Sequence, residues 1–397
     1  MGRAGVRELA GWSGALAVSL ITAAQVASSA RSELLFRDGD SLIVAMFARS
    51  LLAGGPADWA LSSVLFVPET AVFAGLDALL PLEVDGVLAV NAVLNLLGLF
   101  GALRLVAGRR RPGSAPVAWS LLGLTVFSVI AMTETSASRD AFELASLSLT
   151  TTYYSGTVIA AVLSVGFVRR VVDRPAGGAM MLVLLGLTAA VSTLSNPLYA
   201  AWATAPLALL LTVLLLRSRE RLRPALLLAV LLCGTAIGFV GRIPLQAWIT
   251  NSGAGYVQPE RWAESLRYYS DLFADRLSTP AGVVGGAIVL ALLALAVHRT
   301  VRVTDTERAS WLRSRGSRPC SWWSAPSPSA PTRRATCNRS LSPRYSLSSP
   351  PRRRCESLGG RGSSSWPRPG CCWCSRARSA SPAWRPPPGP PTPTSPV

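Results

Sequence analysis

The sequence predicts an all-α fold, a polytopic transmembrane helical bundle of about eight spans with both ends cytoplasmic. Three observations predict it. Residues 1–312 hold repeated apolar stretches of bilayer-crossing length, ~17–25 residues. The arginines gather in every second gap between those stretches. Retained arginines favour the cytoplasmic side of short loops, so the alternation of charge supports the count of spans.

The first apolar stretch covers roughly residues 11–30, after Arg3 and Arg7. It reads as a retained signal-anchor. The alternative is a cleavable signal peptide, for which Ala24 to Ala30 offers small residues. The second and third stretches, 85–107 and 116–133, enclose Arg109, Arg110 and Arg111. Asn91 and Asn95 lie four residues apart in the second, where they could hydrogen-bond to other helices. The fourth and fifth, 148–168 and 177–195, enclose Arg169, Arg170 and Arg174. Asn196-Pro197 and Tyr199 then form a tight outer turn. The sixth and seventh, 200–216 and 225–242, enclose Arg217, Arg219, Arg221 and Arg223, and Cys233 reads as a small buried hydrophobe. The eighth, 281–298, ends at a lone His298 and precedes Arg299, Arg302 and Arg308.

From about Arg313 the composition changes. The segment 313–397 holds 19 Ser, 17 Pro and 15 Arg with one acid, Glu356, and six of the seven cysteines. It has too few apolar residues to bury a core and reads as a disordered, low-complexity tail. All 39 basic residues of the chain are Arg, a mark of GC-rich coding DNA. The tail then reads as the product of a shifted reading frame, with a genuine cytoplasmic tail as the alternative. Of the net +18, the tail contributes +14 and residues 1–312 only +4. The basic balance is therefore no argument for a nucleic-acid partner. The cluster Cys371-Cys372-Trp373-Cys374 lacks a second ligand pair at zinc-site spacing.

Chemistry is expected in the outer gaps. The gap 31–84 opens with Arg37-Asp38-Gly39-Asp40. Ser41 to Leu52 has near-helical apolar spacing, with Ser41 placed to cap it. A turn at Gly54-Gly55-Pro56, then Trp59, precede an apolar run from Val64 to Leu80 broken by Pro68-Glu69. Both segments read as interfacial helices, because proline and charge make a simple span costly. Glu134, Asp140 and Glu143 lead into Thr150-Thr151-Thr152-Tyr153-Tyr154, either a hydroxyl-rich binding loop or a polar loop with an interfacial aromatic belt. In the gap 243–280, Trp262, Leu266, Tyr269 and Phe273 fall on one face of an amphipathic helix. That helix is either a shelf over a lipid-linked ligand, with Arg242 or Arg267 pairing a phosphate, or a plain surface cover.

The string from Arg37 to Pro81, with Asp38, Asp40, Trp59 and Pro68-Glu69 in the loop after the first span, resembles the GT-C glycosyltransferases, and in particular GT-C-like membrane proteins of GC-rich actinobacteria. The resemblance covers roughly residues 10–300. It implies transfer of a sugar from a polyprenyl-phosphate donor to an extracytoplasmic acceptor at the cell membrane. It further implies that Asp38 or Asp40 is the catalytic carboxylate, and that Glu69, Arg242, Tyr153, Tyr154 and Trp262 touch substrate. The partners it implies are the lipid bilayer and a lipid-linked sugar donor. A general base suits glycosyl transfer to a hydroxyl, and two close carboxylates could instead hold a divalent cation, Mg2+ or Mn2+, against the lipid phosphate. The competing readings are solvated turn residues at Asp38 and Asp40, a membrane transporter, or a non-enzymatic integral membrane protein. The loss of apolar pattern after the eighth stretch adds a truncated product to the expectations.

Overall fold

In a computed structural model the described residues are 2–55, 59–109, 114–137, 141–173, 178–217, 221–250 and 258–316, with side chains described up to His298. Their regular structure is helical. The described residues all fall in one compact unit, Met1–Pro319. The tail expectation from 317 onward, like Asp140, Arg174 and Tyr256, lies outside the described residues.

Twelve α-helices follow in order: α1 Arg3–Ala27, α2 Ser32–Phe36, α3 Gly39–Leu52, α4 Val67–Leu79, α5 Val84–Ala107, α6 Pro116–Met132, α7 Tyr153–Asp173, α8 Ala179–Ser195, α9 Ala205–Arg217, α10 Leu222–Gly241, α11 Trp262–Ser278 and α12 Pro280–Gly316. Among the described residues, six helical stretches are long and apolar enough to cross a membrane: those of α1, α5, α7, α10, the first half of α12, and α9 together with the π-helical turn Ala200–Thr204 before it. Helices α6 and α8 are apolar but only 17 residues long. Each predicted apolar stretch thus falls on a helix. The protein is an integral membrane protein with several spans.

Two boundaries differ from the sequence reading. The fourth stretch does not start as an α-helix at 148: a short 3-10 turn at Ser146–Ser148 and a buried, non-helical Leu149–Thr152 precede α7. The run of serines and threonines explains this, since their hydroxyls bond nearby backbone in preference to continuing a helix. Thr150 Oγ1 donates to the Leu147 carbonyl at 2.6 Å, and Ser155 Oγ to that of Thr152 at 2.9 Å. Helix α12 runs past His298 to Gly316.

The core lies between α1, α5 and α6 on one side and α7, α8, α9 and α10 on the other, with α5 and α7 packed together. Small residues let the helices approach closely. A Cβ on Gly234 would meet the Gly186 carbonyl at 2.5 Å, and one on Gly238 that of Ala190 at 2.6 Å, so α8 and α10 touch backbone to backbone. Hydroxyl and amide bonds tie the connections to α5 and α7: Asn91 Nδ2 donates to Thr151 Oγ1 at 2.9 Å, Asn196 Nδ2 to Thr157 Oγ1 at 2.8 Å, and Ser164 pairs Tyr199 at 2.6 Å. At the arginine-bearing end, Arg169 and Arg170 of α7 donate to the Val106 and Leu105 carbonyls and so close the C-terminus of α5.

Helices α3 and α4, of 14 and 13 residues, are too short to span a bilayer and pack on each other. The bidentate Arg49–Asp77 pair ties them together (Nη2 to Oδ1 2.7 Å). Helix α11 buries none of its side chains, with Trp262, Leu266, Tyr269 and Phe273 exposed.

Candidate functional site

Two clusters of buried polar groups sit at the end of the bundle opposite the arginine-rich gaps. The first is built on Arg31, between α1 and α2, whose side chain is 1% exposed. Its guanidinium donates to Ser146 Oγ from Nε (2.8 Å), to Glu134 Oε2 (3.0 Å), and to the carbonyls of Ser136 (2.9 Å) and Glu143 (2.5 Å). The carboxylates are held in turn by the backbone. Glu134 accepts from the N–H groups of Ala145 and Ser146 at 2.7 and 2.8 Å, and Glu143 from those of Thr135 and Ser136. Arg276, at the end of α11, pairs with Glu143. Burial pushes the Glu134 carboxyl upward, against the hydrogen bonds from Ser146 and Ala145 and the charge of Arg31. So many mutual bonds make this cluster a staple that joins the α1–α2 junction, the α6–α7 connection and α11. Glu134 and Glu143 are occupied within it rather than presented to a ligand.

The second cluster is centred on Glu69, in the first turn of α4. The chain reaches it under tight control. Leu61 exchanges backbone bonds with Trp248 (2.6 Å) and Thr250 (2.9 Å), Leu65 N–H donates to the Ser195 carbonyl (2.8 Å), and Val67 N–H to Ser195 Oγ (3.2 Å). Arg242 donates to the carbonyls of Leu194 (2.7 Å) and Ser63 (2.5 Å), clamping this segment to the end of α8. Phe66 then takes a left-handed backbone (φ 50°), a strained conformation for a bulky residue, and its ring is buried against α3, α5 and Tyr153. That turn, followed by Pro68 in the first turn of the helix, aims Glu69 into the bundle.

Glu69 is 8% exposed. Ser195 Oγ donates to its Oε2 at 3.4 Å, and Oε1 occupies the space beside Gly156 that any side chain there would need. Burial raises its carboxyl from the usual range to about 7, against the opposing pull of its own backbone N–H and of Ser195. Glu69 lines a cavity of about 370 Å³ between α4, α5, α7 and α8. Asn91, Asn95 and Ser155 supply polar groups, while Val72, Ile159, Leu187 and Val191 supply apolar wall. Val72, Leu187 and Val191 are also exposed on the outer surface of the bundle, so the cavity wall is continuous with the surface that faces lipid.

The other residues expected from the sequence are distributed as follows. Tyr153 and Tyr154 stack at 4.3 Å beside the Glu69 region, with a hydroxyl–hydroxyl bond of 3.0 Å, and Tyr154 stacks on Trp202. Arg242 adjoins the same region through Leu194 but directs its donors at backbone carbonyls. Trp262 is exposed on α11, away from both clusters. Asp38 caps α3: its Oδ2 accepts the Asp40 N–H at 3.2 Å, and Asp40 lies in the first turn. Ser41, expected as the cap, is instead buried within the helix. One Asp38 oxygen is engaged by the cap, and among the described residues no group of three His, Cys, Asp or Glu is placed to hold a metal. Sequence reasoning passed over Arg31 and Arg276. The signal that could have drawn attention to them is their position in gaps where the alternation places few arginines.

The chain matches no known family, no curated protein and no solved structure.

Proposed function

We propose that this protein is a GT-C-like glycosyltransferase of eight spans, with its arginine-rich ends cytoplasmic. In this reading Glu69, rather than Asp38 or Asp40, is the base. One observation carries it: a carboxylate that titrates near neutral pH stands in a cavity with amide and hydroxyl groups on one side and lipid-facing apolar wall on the other. Ionised Glu69 takes the proton of an acceptor hydroxyl. The hydroxyl oxygen attacks the anomeric carbon, the bond from that carbon to the phosphate oxygen breaks, and polyprenyl phosphate leaves with the electron pair. A base with a pKa close to the working pH is the efficient choice for such a step. Asn91, Asn95 and Ser155 are suited to sugar hydroxyls, and the wall of Val72, Leu187 and Val191 to the first isoprene units. Helices α3 and α4 would lie at the outer interface as the roof of the cavity, with Tyr153 and Tyr154 beside it.

The test is transfer from a panel of radiolabelled polyprenyl-phosphate sugars by the purified full chain in liposomes, comparing Glu69→Gln with the double change Asp38→Asn and Asp40→Asn. Loss of transfer in E69Q alone supports the assignment. Loss only in the Asp double variant moves the base to α3. A second reading, proton-coupled transport, is favoured by the same buried carboxylate between helices. It predicts Glu69-dependent proton flux across the liposome membrane and no sugar transfer.

A further inference from the structure

A second cavity, of about 600 Å³, lies at the opposite end of the bundle, where α1 begins, α5 ends and α6 begins. Its polar lining includes Arg7, Glu8 and Arg104, and its apolar wall is formed by residues such as Val117 and Leu121. Arg104 donates to Glu8 through Nε (3.2 Å) and Nη2 (2.5 Å) and to the Gly108 carbonyl at 2.7 Å, so the acid in the cavity is already neutralised by one of the arginines. Arg7 stands exposed at the rim. At the same end of the bundle Arg104, Arg109 and Arg169 act electrostatically on Arg170, and among the described residues the acids paired there are Glu8, with Arg104, and Asp173, with Arg169. Helix α6 also opens onto the cavity with its first turn. Its cap position is Ala115, which makes no side-chain bond, and its first turn holds no acid. The backbone amides of a helix's first turn carry partial positive charge, so this end of α6 adds to the positive character of the cavity.

We propose that this cavity binds the headgroup of an anionic phospholipid from the leaflet at the arginine-rich end, with its acyl chains against Val117, Leu121 and the neighbouring face of α1. Two features select a lipid over a free phosphate. The cavity has apolar wall leading away from the charged rim, and it sits at the level where helices begin and end, which is the headgroup layer. Basic pockets between helices at this level suit phosphodiester headgroups, each arginine adding about 1 kcal/mol, or roughly fivefold in affinity.

The experiment is native mass spectrometry of the full chain in detergent, titrated with dioleoylphosphatidylglycerol or dioleoylphosphatidylcholine. The expected result is about tenfold or greater preference for the anionic lipid. Arg7→Gln should reduce that preference about fivefold. Ala115→Asp should remove it, because the new carboxylate caps α6, which favours folding, while occupying the place of the phosphate. Equal binding of the two lipids overturns the proposal, as does an unchanged preference in A115D. Displacement of the anionic lipid by equimolar inorganic phosphate overturns the lipid assignment in favour of a free-anion site.

Discussion

The carboxylate of Glu69 fills the space beside Gly156 that a side chain at position 156 would require. This relationship joins the first turn of α4 to the first turn of α7, and it makes a glycine on α7 a condition for placing the acid. Gly156→Ala should therefore destabilise the protein by about 1–3 kcal/mol, the usual range for overpacking. In a Glu69→Ala background the same change should cost much less, since the collision is gone. A thermal double-mutant cycle in detergent reads the coupling; additive effects would place Glu69 elsewhere.

Stability should also depend on pH through Glu69. Its folded value, about 7, lies above the ordinary carboxyl value of 4.5. Between those values the folded chain holds a proton that the unfolded chain has released. The favourable contribution is thus complete below 4.5, declines as pH rises through about 7, and is gone above it. The loss is on the order of 3 kcal/mol. Melting measured from pH 5 to pH 8 should fall for the native chain, and Glu69→Gln should flatten that part of the profile.

Arg31 should be the most sensitive charged position. Removing it as Arg31→Met leaves Glu134 and Glu143 buried without their shared guanidinium, a loss of about 3–5 kcal/mol. Adding Glu134→Gln should recover part of it, because Glu143 keeps Arg276. If the double variant is less stable than the single one by urea or thermal unfolding, the cluster is not electrostatically coupled as described.

At Asp38 the two roles separate cleanly. As a helix cap, Asp38→Asn and Asp38→Ser should be tolerated, while Asp38→Ala should cost about 1 kcal/mol. A carboxylate with a chemical role would tolerate none of the three in a transfer assay. Paired stability and activity measurements on the same preparations distinguish them.

The spans were legible because they depend on local composition: a run of apolar residues needs no distant partner to be recognised. The arginine clusters between the apolar stretches were legible for the same reason. What escaped was pairing at a distance. Arg31 meets Glu134 across 103 positions, and Ser195 meets Glu69 across 126. Neither has a local signature. Several arginines lie in the gaps that the alternation leaves to acids and aromatics, and five of them, Arg31, Arg37, Arg49, Arg242 and Arg276, are paired within the fold. Their acceptors are, in turn, Glu134 and Glu143, Asp85, Asp77, two backbone carbonyls, and Glu143. For these five, departure from the charge rule coincides with a tertiary contact. Phe66 illustrates the other limit, because its left-handed backbone runs against its own residue type and is imposed by packing.

The staple around Arg31 has a consequence for how the chain is made. Arg31 leaves the ribosome with the first helix, but Glu134 follows 103 residues later and Arg276 later still. At about 5–20 residues per second, Arg31 waits some 5–20 seconds for its first carboxylate. During that interval the guanidinium belongs at the aqueous edge of the bilayer. The junction after α1 can be drawn into the protein only when the α6–α7 connection arrives, so this end of the bundle closes in the order of synthesis, with α11 as the final bolt.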